Sequence, residues 1–153
     1  MENSIGMLKE ALIYMDLEAE DKFDALKTMA EDFVKQGYGK ASFTEAVLER
    51  EKNFATGIPT ETIGVAIPHA DPIHVADKAL GIAILKKPVD FVILGDDTAT
   101  VPVEMIFMIA TNEPDGHIET LQKLMEIFQN SELLGQIRQA KNKEAVLEIF
   151  SQI

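Results

Sequence analysis

A chain of 153 residues, 46% apolar and 26% charged, is long enough to bury one core and ordinary in composition for a globular domain. Its formal charge of −12, from 26 acidic against 14 basic residues, argues against nucleic-acid binding, because no Lys/Arg block offsets a surface that repels phosphate backbones. The absence of cysteine excludes disulfides, thiolate catalysis and cysteine metal ligation, and no apolar run approaches the roughly 18 residues of a membrane span. The opening MENSIGMLKE lacks a basic region followed by an apolar stretch, so no secretory signal is expected and the cytoplasm is the expected compartment. Low-complexity segments, internal repeats and long linkers are missing too, so residues 1–153 read as a single domain.

In chain order, ALIYMDLEA (11–19) alternates enough to predict a short strand. EDKFDALKTMAEDFVKQ (20–36) follows, with Phe23, Leu26, Ala30, Phe33 and Val34 on one helical stripe that Gly37 and Gly39 terminate. SFTE (42–45) has the capping-box pattern, Ser42 as N-cap with Glu45 three residues on, and predicts a second helix to about Lys52. Its inward stripe is Phe43, Ala46 and Val47, continued by Arg50. TIGVAI, ALGIAIL and VEMIFMIA are short apolar runs, interrupted only by Glu104, and predict strands covered on both faces. KKPVDFVILGDDTATVP (86–102) predicts a hairpin or an irregular excursion between the last two. HIETLQKLMEIFQ places Ile118, Leu121, Leu124, Met125 and Phe128 on one helical face, and SELLGQIRQA and NKEAVLEIFSQ predict two further short helices. The fold class is α/β, with a central sheet of about four or five strands.

Three residues stand out as candidates for chemistry. His69 directly follows a strand and Pro68, at the carboxyl end where ligands of open α/β sheets gather; Pro68 stiffens the backbone entering it. A part-buried histidine bonded to a carbonyl fits the same pattern. Arg50 continues an inward stripe, so its fork either points into a cleft to hold an anion or snorkels outward along its stem. His117 opens a helix, where free N–H groups disfavour an imidazolium and attract anions; a first-turn surface histidine is the other reading. Converging, the three would form a phosphate site.

ERE at 49–51, TG at 56–57, GVAIPHA at 64–70 and GHIETLQKLM at 116–125 resemble the enzyme IIA domains of the fructose–mannitol class, from the bacterial sugar phosphotransferase system. The similarity runs over nearly the whole chain, and HADPIHV with VPVEMIFMIATNEPDGHIETLQKLMEIFQN looks most like the galactitol-specific branch. Ala70 stands where relatives often carry a glycine. The resemblance implies a mixed sheet with helices on both faces and a phosphotransferase component with a phosphohistidine intermediate. His69 would accept a phosphoryl group from the phosphocarrier HPr and pass it to a cysteine of enzyme IIB, expected on a separate chain. The membrane enzyme IIC would be an indirect partner, with no direct membrane insertion of this chain. Arg50 matches the arginine beside the family's active site and would stabilise charge; His117 matches the second active-site histidine and would donate to phosphate oxygens. This chemistry implies Nε2 of His69 as the attacking atom, with Nδ1–H held by a backbone carbonyl, and neither metal nor cofactor.

Two rivals remain at this point. One is a regulatory IIA-like module of the nitrogen-control type, which keeps the histidine and changes the destination of the phosphate. The other is a metal-dependent hydrolase with His69, Asp71, His74 and Asp77 as ligands, a spacing that fits no established motif.

Overall fold

A computed structural model describes residues 7–113 and 116–152, with the backbone alone at 116 and 117. In chain order the elements are β1 (Leu8–Leu17), α1 (Lys22–Lys35), α2 (Phe43–Asn53), β2 (Gly57–Pro59), β3 (Gly64–Ala66), β4 (Ala79–Ile93), β5 (Asp96–Ala110), α3 (Gly116–Phe128), α4 (Ser131–Arg138) and α5 (Lys143–Ser151). A 3-10 turn at Pro72–His74 interrupts the connection from β3 to β4.

The sheet is mixed. β1 runs parallel to β4, β4 antiparallel to β5, β5 parallel to β3, and β3 antiparallel to β2. A single pairing of Gly57 with Ile93 brings β2 back to the far end of β4. Of the two alternatives at 86–102 the hairpin is what forms, with register shifts between Ile84 and Val89 and between Val92 and Ile93; Phe91 lies opposite Val101 and the turn falls at Leu94–Gly95, where Gly95 adopts φ +82. Period-two alternation sends successive side chains to opposite faces, and both faces are covered. Ala79, Ala83 and Leu85 of β4 join Leu26, Met29, Phe33 and Phe43 in one core; Leu80, Ile82 and Ile84 join Leu124, Phe128, Leu134 and Phe150 in the other. Continuous apolar runs were the sequence signature of this two-sided burial.

Local chemistry explains where α1 starts and stops. Asp21 takes an extended conformation and its Oδ1 accepts the Asp24 N–H at 2.8 Å, while Asp24 Oδ2 reaches back to accept the Glu20 N–H at 3.0 Å. At the other end Gly37 adopts φ +92, letting the Tyr38 N–H bond the Phe33 carbonyl at 2.9 Å and the Gly37 N–H bond Val34 at 3.1 Å. That is a Schellman stop, which only glycine enters without strain. In the interior the Phe33 ring stacks on Phe43 at 5.5 Å, and Gly81 of β4 leaves room for it: a Cβ there would sit 2.7 Å from Phe33 Cε1.

Two expectations need correction. Ser42 precedes α2 but makes no side-chain cap; its backbone is helical rather than extended, and its hydroxyl lies 2.8 Å from His74 Nδ1 instead. A tertiary partner outcompeted the local one. On α3 the inward face is Thr120, Leu124, Ile127 and Phe128, whereas Ile118 is 51% and Met125 37% exposed. The apolar stripe was wider than the surface it covers.

One tie between sheet and helix is testable by a minimal change. Tyr14 of β1 donates its hydroxyl to Asp32 Oδ2 of α1 at 2.6 Å, and burial with the adjacent carboxylate pushes the phenol far above its ordinary range. Tyr14→Phe removes this bond and is expected to cost about 1–2 kcal/mol in denaturant unfolding. An unchanged midpoint would show that the bond adds nothing over water.

Candidate functional site

His69 owes its place to the sheet. β3 ends at Ala66, but the chain stays beside β5: the Ile109 N–H donates to the Pro68 carbonyl at 3.0 Å, and His69 bridges Ile109 in parallel sense. Pro68 cannot donate and uses its acceptor, so the peptide leading into the histidine is fixed from both sides. The ring is part-buried, and its Nδ1 lies 2.8 Å from the Ile67 carbonyl oxygen. A carbonyl only accepts, so the hydrogen is on Nδ1 and, in the neutral ring, the lone pair is on Nε2. This is the tautomer that a nucleophilic Nε2 needs.

Arg50 lies in the last turn of α2 and leans on the histidine's loop. Its Nη1 is 3.3 Å from Asp71 Oδ1, two residues beyond His69, and its guanidinium carbon sits 5.1 Å from the Phe54 ring centroid. Its Nε is buried with no hydrogen-bond partner among the described residues, although the side chain as a whole is 32% exposed. The expectation that Arg50 continues the buried stripe is therefore corrected. Phe43, Val47 and Glu51 are the buried residues of α2, at a strict spacing of four, and Arg50 sits beside that row.

His117 is the second residue of α3, and its side chain lies outside the described residues. The ring's relation to His69 is accordingly not part of this geometry. The four residues of the metal reading are engaged elsewhere or apart: Asp71 with Arg50, His74 with Ser42, and Asp77 Oδ1 with the Lys78 N–H at 2.9 Å. Among the described residues no three His, Asp or Glu side chains form a candidate ligand group. No described helix is long and apolar enough to cross a membrane.

Glu51 is the residue that sequence reasoning passed over. At 3% exposure it is one of the few buried polar groups, and both carboxyl oxygens are satisfied by Thr56: Oε2 by the backbone N–H at 2.9 Å and Oε1 by the hydroxyl at 2.7 Å. An i, i+4, i+8 row from Phe43 would have found it, but Glu in a charged ERE run reads as solvated. Burial pushes the carboxyl above its ordinary range, against the opposing pull of the Thr56 hydrogen bonds and of the positive Lys22 and Arg50. A raised folded-state value means that the native protein holds this proton more tightly than the unfolded chain. The associated stability is full below the ordinary carboxylate range and is lost as pH rises through the folded-state value. Glu51→Gln can keep both contacts, accepting from the Thr56 N–H and donating to Thr56 Oγ1. It is expected to gain on the wild type as pH climbs from the ordinary carboxylate range through the raised folded-state value. Thermal unfolding across that range measures the difference, and a constant gap would reject the assignment.

The comparisons with known proteins now carry weight. The family model described as phosphoenolpyruvate-dependent sugar phosphotransferase system, EIIA 2, matches residues 6–153. The chain belongs to this family. It is a phosphotransferase-system IIA-type phosphoryl carrier in class, as the resemblance carried by GVAIPHA at 64–70 implied. The fructose-specific EIIABC component of Bacillus subtilis (strain 168) is 29% identical over 150 residues, covering 95% of this chain and 22% of that protein. A nitrogen regulatory protein homolog of Haemophilus influenzae is 29% identical over 132 residues, covering 84% of this chain and 76% of that one. The chain thus spans about a fifth of the fructose component and most of the nitrogen-regulatory protein. Among solved structures, enzyme IIA of mannitol in complex with phosphorylated enzyme IIB from Escherichia coli superposes with a TM-score of 0.78 at 21% identity, covering 95% of this chain and 98% of that one. That likeness establishes the α/β fold with its mixed sheet.

Proposed function

We propose that the chain carries a phosphoryl group on Nε2 of His69, taken from the phosphohistidine of HPr and given to a cysteine thiolate of enzyme IIB. In the first step the Nε2 lone pair attacks phosphorus while the donor's P–N bond breaks and its imidazole takes the electron pair. In the second the thiolate attacks, and His69 recovers its lone pair as the new P–N bond breaks. Phosphoryl transfer of this kind depends on positioning and on spreading negative charge. The observation that carries the reading is the 2.8 Å contact between His69 Nδ1 and the Ile67 carbonyl, which places the hydrogen on Nδ1 and the neutral ring's lone pair on Nε2.

Arg50 supplies positive charge, with a buried Nε–H that no acceptor among the described residues uses. His117, the second residue of α3, is assigned the role of donor to phosphate oxygens. Residues 1–153 contain no cysteine, so the acceptor thiol comes from outside them. They act as one IIA unit working in the cytoplasm, coupled through IIB to the membrane enzyme IIC. Its cargo is a sugar or sugar alcohol of the galactitol kind, a reading supported by the HADPIHV stretch. A regulatory role is the second reading, favoured by the nitrogen-regulatory relative that this chain matches over 76% of its length.

Incubation with enzyme I, HPr and phosphoenolpyruvate, followed by peptide mapping, tests the carrier step. Phosphate on the peptide containing His69 is expected; label elsewhere, or none, overturns it. Adding candidate IIB proteins then separates the two roles, since a transport component discharges to IIB and a regulatory module does not.

A further inference from the structure

The Glu51 carboxyl takes no part in the transfer steps above, yet it heads a hydrogen-bonded path that ends on the reactive ring. Both its oxygens hold Thr56, the residue immediately before β2. The Thr56 carbonyl accepts the Ile67 N–H at 3.3 Å. The Ile67 carbonyl in turn holds His69 Nδ1 at 2.8 Å. Two residues, Thr56 and Ile67, therefore connect a buried carboxyl in the last turn of α2 to the imidazole just beyond β3. The Ile67–Thr56 bond is the longest in this series and lies beyond the usual N–H···O distance, so it is the link most dependent on Thr56 being held still.

We propose that Glu51 is a positioning residue for His69: by clamping Thr56 with both carboxyl oxygens it fixes the peptide of Ile67, whose carbonyl keeps the ring in its Nδ1–H form. The geometry explains why an acid is buried here at all. A carboxyl offers two acceptors on one rigid fork, matching the two donors that one threonine presents, and an apolar residue would leave the Thr56 N–H without its partner. The Pro68–Ile109 bond ties the loop downstream of the clamp, so releasing Thr56 loosens the ring's aim without dismantling the strand end.

The consequence for phosphate acceptance rests on the carrier reading proposed above; the tautomer does not. The ring nitrogens of His69 are therefore observed by 15N NMR in the full chain, alongside the rate of acceptance from phosphorylated HPr. Wild type and Glu51→Gln are expected to show the Nδ1–H tautomer and rates within about threefold of each other. Glu51→Ala is expected to show mixed tautomers and acceptance about tenfold slower, the scale of one lost positioning hydrogen bond, with KM for phosphorylated HPr unchanged. Thr56→Val keeps the backbone contact and fold while removing the hydroxyl, and should move both readouts in the same direction. It remains decisive if the alanine variant fails to fold. A single Nδ1–H tautomer with wild-type rates in Thr56→Val overturns the proposal, as does a slower rate with an unshifted tautomer. If phosphate is found on a residue other than His69, the carrier reading falls while the tautomer still decides the role of Glu51.

Discussion

Replacing His69 with alanine is expected to abolish phosphate acceptance from phosphorylated HPr while leaving the fold intact. The ring is only part-buried, and the contacts that anchor its loop, Ile109 N–H to Pro68 and Ile67 N–H to Thr56, are main-chain bonds that alanine keeps. Loss of a covalent nucleophile removes the route rather than slowing it, so residual transfer should fall below about a thousandth of the wild-type rate. Stoichiometric labelling of His69→Ala would refute the assignment. Near-native thermal unfolding of the same variant guards against a trivial explanation.

The second large effect is expected at Arg50. Arg50→Lys keeps the charge but loses the planar fork, the stacking against Phe54 and the buried Nε–H. A donor aimed at charge that develops in the transition state is commonly worth on the order of 10²-fold in rate, so acceptance and donation should both slow by about that factor. Stability should change little, because the Arg50–Asp71 pair is largely solvated, with Asp71 70% exposed. Wild-type rates in Arg50→Lys would reduce the arginine to a surface contact with Asp71.

Much of this architecture was readable before any coordinates. Helical stripes announced α1 and α3, two further short helices were expected where α4 and α5 lie, and the apolar runs announced β3, β4 and β5 with both faces covered. The lone histidine after Pro68 was legible because strand ends in α/β sheets are few and a proline there is stiffening. β2 was not legible. It has three residues, one glycine and one proline, and exists because it pairs antiparallel with Gly64–Ala66 across a short turn. Such a strand is made by its neighbours rather than by its own pattern. The buried carboxyl of Glu51 was hidden for a related reason. Its burial depends on the two donors of Thr56, five residues away, and composition counts it simply as one more acid. The misplaced Ser42 cap shows the same limit: a local signal was present, and a histidine brought by the fold from position 74 took the hydroxyl.

The His69 ring is held through Nδ1 by a peptide carbonyl, that of Ile67, while Ile73 and Phe54 are among the most exposed large apolar side chains described, at 73% and 61%. On the carrier reading, substitution at these exposed positions leaves in place the main-chain groups that hold the proposed nucleophile.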